Sequence, residues 1–94
     1  MIVVRNVFIA KPGMASKLAA QIKEAAKAMP DVRSRVMTDL TGDFNRVVFE
    51  HEAANIAEFE TRMRQYMTDT GFREKMKGYT DLYVTGSREI FQEA

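Results

Sequence analysis

Apolar positions along the chain recur with two periods, and the switches between them mark out its elements. Ile2 to Ala10 is a nearly unbroken run of β-branched and aromatic residues stopped by Lys11-Pro12-Gly13, which reads as a strand followed by a breaker. Met14, Leu18, Ile22, Ala25 and Met29 then fall at helical spacing with Lys and Glu between them, predicting an amphipathic helix that ends before Pro30. Val32 to Leu40 and Phe44 to Glu52 alternate as strands do. Asn55, with Glu58 three residues on, forms a capping-box-like start for a second helix, whose stripe runs through Ile56, Phe59, Met63, Tyr66, Met67 and Thr70. Gly71 is expected to break that helix. Phe72, Met76 and Tyr79 resume the apolar face, and Gly78 closes the region. Tyr83 to Gln92 is a final strand, with Gly86 as the expected bulge.

The two middle strands carry more than their alternation. Gly42-Asp43 suits a two-residue type II′ turn, because glycine tolerates positive φ at the first central position. Creased there, the strands place Asp39 opposite Arg46, Arg35 opposite Glu50 and Arg33 opposite Glu52, with Met37 opposite Val48. The other face carries Val32, Ser34, Val36, Thr38 and Leu40 against Asn45, Val47, Phe49 and His51. A slip of one residue turns every side chain over, so three opposite-charge pairs in one register argue for that register. Each such pair contributes roughly 0.2–1 kcal/mol, enough to lace a sheet. Acid–base catalysis by paired carboxylates needs two acids close together with divergent pKa values. Here each acid faces an arginine that holds it ionised, so lacing is the expected role.

The order β-α-β-β-α-β is the split βαβ, or ferredoxin-like, arrangement: an α+β fold with a four-stranded antiparallel sheet and helices on one face. Ninety-four residues make one such domain, 1–94. A chain of that size buries only roughly 60–65% of its extended surface. Val3, Val7 and Ile9 lie on one side of the first strand and Ile2, Val4 and Phe8 on the other, so this strand needs cover on both sides. One short chain supplies cover for one. The second cover is expected from another copy packed on the laced face as a two-fold homodimer.

Composition narrows the partners. Fourteen basic and thirteen acidic residues give a net charge of +1, which does not build the dense basic surface nucleic acid requires. Cysteine is absent, so neither disulfides nor thiolate metal sites are expected. No apolar stretch approaches the roughly 18 residues of a membrane span, and MIVVRNVFIAKPG is too short and interrupted for a signal peptide. A cytoplasmic soluble domain is the expectation.

Three stretches, NVFIAKPG, TGDFNRVVFEHE and the NIAEFE…Y…GF helix, together resemble the dimeric α/β-barrel superfamily, in its NIPSNAP-like and antibiotic-biosynthesis-monooxygenase-like members. The resemblance spans nearly the whole chain and implies two ferredoxin-like sheets packed face to face, with a pocket between the second helix and the sheet. Haem-degrading members of the superfamily use an Asn on the first strand, and a Trp and an iron-ligating His on the second helix. Asn6 stands at the first position, Tyr66 at the second and Met76 at the third. With no tryptophan, and the one histidine on a strand, haem chemistry is not expected; neither a cofactor nor a metal is.

The candidate ligand-binding residues are therefore Asn6, Phe8, His51, Met63, Tyr66, Phe72 and Met76. An amide at Asn6 suits a ligand carbonyl or hydroxyl, and a lone His51 on a core-facing edge suits either structure or proton transfer. A Met- and aromatic-rich stripe suits core packing or an adaptable apolar pocket. Two functions follow. One is a homodimer that binds a small apolar or aromatic molecule without chemistry of its own. The other resembles the cofactor-independent monooxygenases, in which an electron-rich phenol or quinol reacts with oxygen while Asn6, Tyr66 and His51 position and deprotonate it.

Overall fold

β1 (Ile2–Ala10) lies inside a four-stranded antiparallel sheet of order β2-β3-β1-β4, in a computed structural model that describes residues 1–94. The other strands are β2 (Ser34–Thr38), β3 (Arg46–Ala53) and β4 (Tyr83–Gln92). α1 (Ala15–Ala26) joins β1 to β2, while α2 (Ile56–Thr68), α3 (Thr70–Lys75) and a 3₁₀ turn at Tyr79–Asp81 join β3 to β4. The fold is the expected ferredoxin-like α+β arrangement. No helix is long and apolar enough to cross a membrane.

The strands alternate, so their side chains divide between two faces. Ile2, Val4, Asn6, Phe8 and Ala10 of β1 face the helices; Val3, Arg5, Val7 and Ile9 face the open side. Two apolar clusters form under the helices. Leu18 and Ile22 of α1 pack with Ala10, Val47 and Leu82, while Phe59 of α2 packs with Ile2, Val4 and Ala53. Nothing covers the open side, and the molecule is a slab with extents of 35 × 35 × 19 Å.

The hairpin register is the expected one: Ser34 faces His51, Arg35 Glu50, Val36 Phe49, Met37 Val48 and Thr38 Val47. Lacing occurs on the open face, and it reaches a third strand. Glu50 takes Arg35 from β2 at 2.9 Å and Arg5 from β1 at 3.0 Å. Burial alone would raise the Glu50 carboxyl, but hydrogen bonds from Arg5 and Arg35 outweigh it and hold the group below the usual carboxylate range. Arg33 reaches Glu52 at 3.3 Å from a largely exposed position.

The turn differs from expectation. β2 stops at Thr38 and β3 starts at Arg46, so a longer loop replaces the two-residue turn. Asp39 and Arg46 are not an ion pair. The Asp39 carboxylate accepts the backbone N–H of Arg46 at 2.7 Å, and the Arg46 guanidinium donates to the carbonyls of Thr41 (2.9 Å) and Asp43 (3.3 Å). Gly42 sits at φ 96°, a left-handed conformation that favours glycine, and the end of the flexible Arg46 side chain lies where a Cβ would point. Side-chain acceptors and donors thus close the loop from inside, and Asn45 adopts a left-handed conformation at φ 65° to deliver the chain to β3.

Two other punctuation marks move. The second helix breaks at Asp69, which turns extended and caps α3 by accepting the Phe72 N–H at 3.0 Å, while Gly71 sits inside α3. The bulge in β4 is at Val84, which has no partner on β1, because Ile9 faces Thr85 and Ala10 faces Tyr83. Gly86 is instead a point of close approach: a Cβ there would come within 2.8 Å of the Val7 carbonyl oxygen. The capping at Asn55 holds. Asn55 accepts the Glu58 N–H at 2.9 Å, and Glu58 reaches back to the N–H of Ala54 at 2.7 Å.

Leu18→Ala, at a fully buried position, is expected to cost about 2–5 kcal/mol. Leu40→Ala, at a position 97% exposed in the loop, is expected to stay within about 0.5 kcal/mol of wild type. Urea denaturation of the two variants checks the assignment of core and loop.

Candidate functional site

Between the two apolar clusters, the helix side of the sheet carries a polar strip that crosses three strands. Asn6 of β1 sits between Phe49 of β3 and Arg88 of β4, its partners across the two ladders, and His51 lies two residues further along β3 on the same face. Asn6 Oδ1 accepts from Arg88 Nε at 2.6 Å, and the guanidinium carbon lies 5.4 Å from the centre of the Phe59 ring.

His51 is the buried polar side chain of this surface, 4% exposed, with its ring between Phe49 (5.1 Å) and Phe59 (5.8 Å). Arg62 of α2 reaches over it. One guanidinium nitrogen stands 3.3 Å from His51 Nδ1 and 2.8 Å from the Glu52 carbonyl, and the other pairs with Glu58 at 3.1 Å. An arginine is always a donor, so Nδ1 is the ring's acceptor and the proton of the neutral imidazole sits on Nε2. Burial, then the charges of Arg62 and Arg88, push the histidine down to about 4. His51 is thus a neutral, packed residue at pH 7, and not a general base poised for proton abstraction.

No protein-family model and no curated protein matches the chain. Solved structures do. An uncharacterized NIPSNAP domain protein from Burkholderia xenovorans superposes with a TM-score of 0.87 at 13% identity, over 100% of this chain and 95% of that one. A NIPSNAP family protein from Agrobacterium tumefaciens gives 0.84 at 12% identity, over 99% and 92%. An antibiotic biosynthesis monooxygenase gives 0.75 at 13% identity, over 100% and 99%. The chain has the NIPSNAP and antibiotic-biosynthesis-monooxygenase-like fold. At these identities the likeness reaches the fold and assigns no residue a role.

Within this NIPSNAP-like fold the ligand candidates read from the sequence fall into three groups. Asn6 and His51 belong to the polar strip. Phe8 and Met76 pack with the α1 cluster, where Phe8 meets Tyr83 at 5.1 Å and Tyr79 edge-on at 6.5 Å. Burial, then Tyr83, raise the Tyr79 hydroxyl above its ordinary range, against the opposing charge of Arg88. Met63 packs against the Phe59 cluster. Tyr66 and Phe72 lie further along, against each other at 5.2 Å across the α2–α3 break. The set lines the underside of the α2–α3 segment and does not converge on one point.

Sequence reasoning missed Arg62 and Arg88, the two cations that set the character of the strip. Arg88 gains meaning only through the β1–β4 register, which makes it the partner of Asn6. Arg62 is one turn beyond Glu58, a spacing that marks it only as a helix-surface pair. Elsewhere, a concavity of about 220 Å³ is lined by Arg33, Ser34, Arg35, Glu50, His51 and Glu52. A shallower one of about 280 Å³ lies on the open face around Val7, Met37 and Val48. Of the candidates, only His51 borders either. No group of three or more His, Cys, Asp or Glu is placed to hold a metal ion.

His51 is expected to titrate at about 4 in the folded chain, against 6.5 for an ordinary histidine. The unfolded chain therefore binds the proton first, so this contribution to stability is complete above pH 6.5 and declines as pH falls through that window towards 4. NMR titration of the one histidine checks this directly. A folded-state midpoint near 6.5 contradicts the burial and the flanking charges.

Proposed function

We propose that this chain is a homodimeric binding protein for a small, mostly apolar, aromatic molecule held between α2 and the sheet. The observation that carries this reading is the uneven cover of the sheet's helix side. α1 buries Leu18, Ile22 and Ala25 over β2 and β3, whereas α2 buries only Phe59. Across β1 and β4, Asn6 is half-buried, and Arg88 and Ile90 reach solvent. A planar apolar molecule entering there meets Met63 and Ile90 as walls, and Asn6 and Arg88 as polar groups. Binding clefts combine apolar walls with a few placed polar groups in this way. Methionine adds adaptability, which suits a cleft that accepts related ligands.

The homodimer is supported by surface area. The isolated chain exposes 6437 Å². Monomeric proteins of its 10.7 kDa mass expose about 5,500 Å². The excess, about 900 Å², is close to the roughly 800 Å² each partner buries in a standard interface. The open face, with Val3, Val7, Met37 and Val48 among its laced charges, is the surface to bury. On a two-fold axis the arginine and glutamate rows of one sheet meet those of the other.

Catalysis is the second reading, favoured by the fold shared with an antibiotic biosynthesis monooxygenase. It requires a bound phenol or quinol oriented by Asn6 and Tyr66. A neutral His51 engaged with Arg62 leaves it without a base.

Two measurements test these readings. Sedimentation at micromolar concentration is expected to return a dimer, and a stable, folded single subunit removes the sheet-to-sheet assembly. In thermal melts, 2-naphthol is expected to raise the Tm of wild type by several degrees and that of Met63→Lys by much less. Hydroquinone and anthrone under air separate binding from turnover. Oxygen uptake with product formation, lost in Asn6→Ala, establishes the monooxygenase; stabilisation without product establishes the binding module.

A further inference from the structure

Arginines on this sheet have partners, with one exception. Arg5 and Arg35 share Glu50, and Arg46 donates to two loop carbonyls. Arg88 alone has no carboxylate within ion-pair distance and no backbone carbonyl acceptor; its single hydrogen bond to the protein is from Nε to Asn6 Oδ1. Both terminal nitrogens of its guanidinium are left without a protein acceptor. Their orientation is nonetheless constrained, because Asn6 fixes one edge of the fork and the Phe59 ring underlies the other atoms.

The surroundings hold no compensating charge. Its neighbours along and across the ladder are Asn6, Gly86 and Ile90, and Glu89 points to the opposite face with Arg5. His51 is neutral, and the charge of Arg62 is balanced by Glu58. The strip between the apolar clusters therefore carries one uncompensated positive charge, held in place and open to solvent.

We infer that Arg88 anchors a carboxylate, so that the cleft takes aromatic acids in preference to neutral aromatics. This rests on the cleft reading above and adds the ligand's polar end to it. The chemistry favours a carboxylate over a phosphate. A guanidinium presents two parallel N–H groups that match the two oxygens of one planar carboxylate, and a charge-assisted pair of this kind is about twice as strong as a neutral hydrogen bond. A dianion asks for more than one free cation, and the strip offers one. With the carboxylate on the terminal nitrogens of Arg88, the ring of the acid extends towards the half-buried Met63.

Calorimetric titration with 2-naphthoate and its uncharged isostere 2-naphthamide tests the inference. Wild type is expected to bind naphthoate at least about ten-fold more tightly than naphthamide, a ratio that shrinks with added salt. Arg88→Gln is expected to bring the affinity for naphthoate down to that for naphthamide, closing the ratio between the two probes. Arg88→Lys, which keeps the charge and loses the fork, falls between. Equal binding of the two probes by wild type, or a preference that survives in Arg88→Gln, overturns the carboxylate anchor and leaves the apolar cleft standing. Failure of both probes to bind at millimolar concentration overturns the anchor and the cleft together. Shifts of the His51 ring signals locate the event, and a preference accompanied by no such shift places it elsewhere and also defeats the inference.

Discussion

β1 carries apolar side chains on both faces, and the chain has one layer of helices. That imbalance organises the molecule. The helices go to the side where Ile2, Val4, Phe8 and Ala10 point, and their cover is completed by Leu18, Ile22 and Phe59. On the other side the chain uses charge in place of cover. Glu50, with its side chain 12% exposed, binds arginines from the strands on either side of it and ties three strands together without a hydrophobic layer. Such a surface is tolerable in water, because Glu50 and Glu52 are paired with arginines in place.

The helix side shows the opposite economy. Its acids are few, and its cations are placed so that each has a different task. Arg62 is spent on structure: it satisfies the Glu52 carbonyl, pairs with Glu58 and holds His51 in one tautomer. Arg88 is held by an amide and a ring, and neither neutralises it. A strip with a neutral imidazole and a free guanidinium is better equipped to recognise a negative group than to remove a proton.

How far the sequence carried depended on the range of the interactions involved. The β2–β3 register was legible because Arg35 and Glu50 encode it in pairs, and a one-residue slip would have buried charge. The apolar run of β1 and the Asn55–Glu58 cap were legible because each is local. The turn was not. Gly42-Asp43 satisfies the rules of a two-residue hairpin, and only the competition of Asp39 and Arg46 side chains for loop backbone groups lengthens it. Gly71 and Gly86 suggest a break and a bulge on local rules, yet the break follows from capping by Asp69, and Gly86 answers to the Val7 carbonyl on a neighbouring strand. Within the candidate site, Asn6 and His51 could be read as polar residues in apolar strands. Arg88 could not, since an arginine on an exposed edge strand is unremarkable until its partner across the ladder is known. Gln21 is a similar case: its amide donates to the carbonyls of Lys75 and Lys77, pinning the end of α3 to α1, a contact no local pattern announces.

Val84 has one more consequence. In an unbroken strand Tyr83 and Arg88, five positions apart, would project to opposite sides. The unpaired residue resets the phase, so the aromatic end and the cationic end of β4 both look inward. Selection can therefore retune the phenolic floor and the charged rim separately, as two segments spliced into one strand. Deleting that single position would turn one of them to the open face of the sheet.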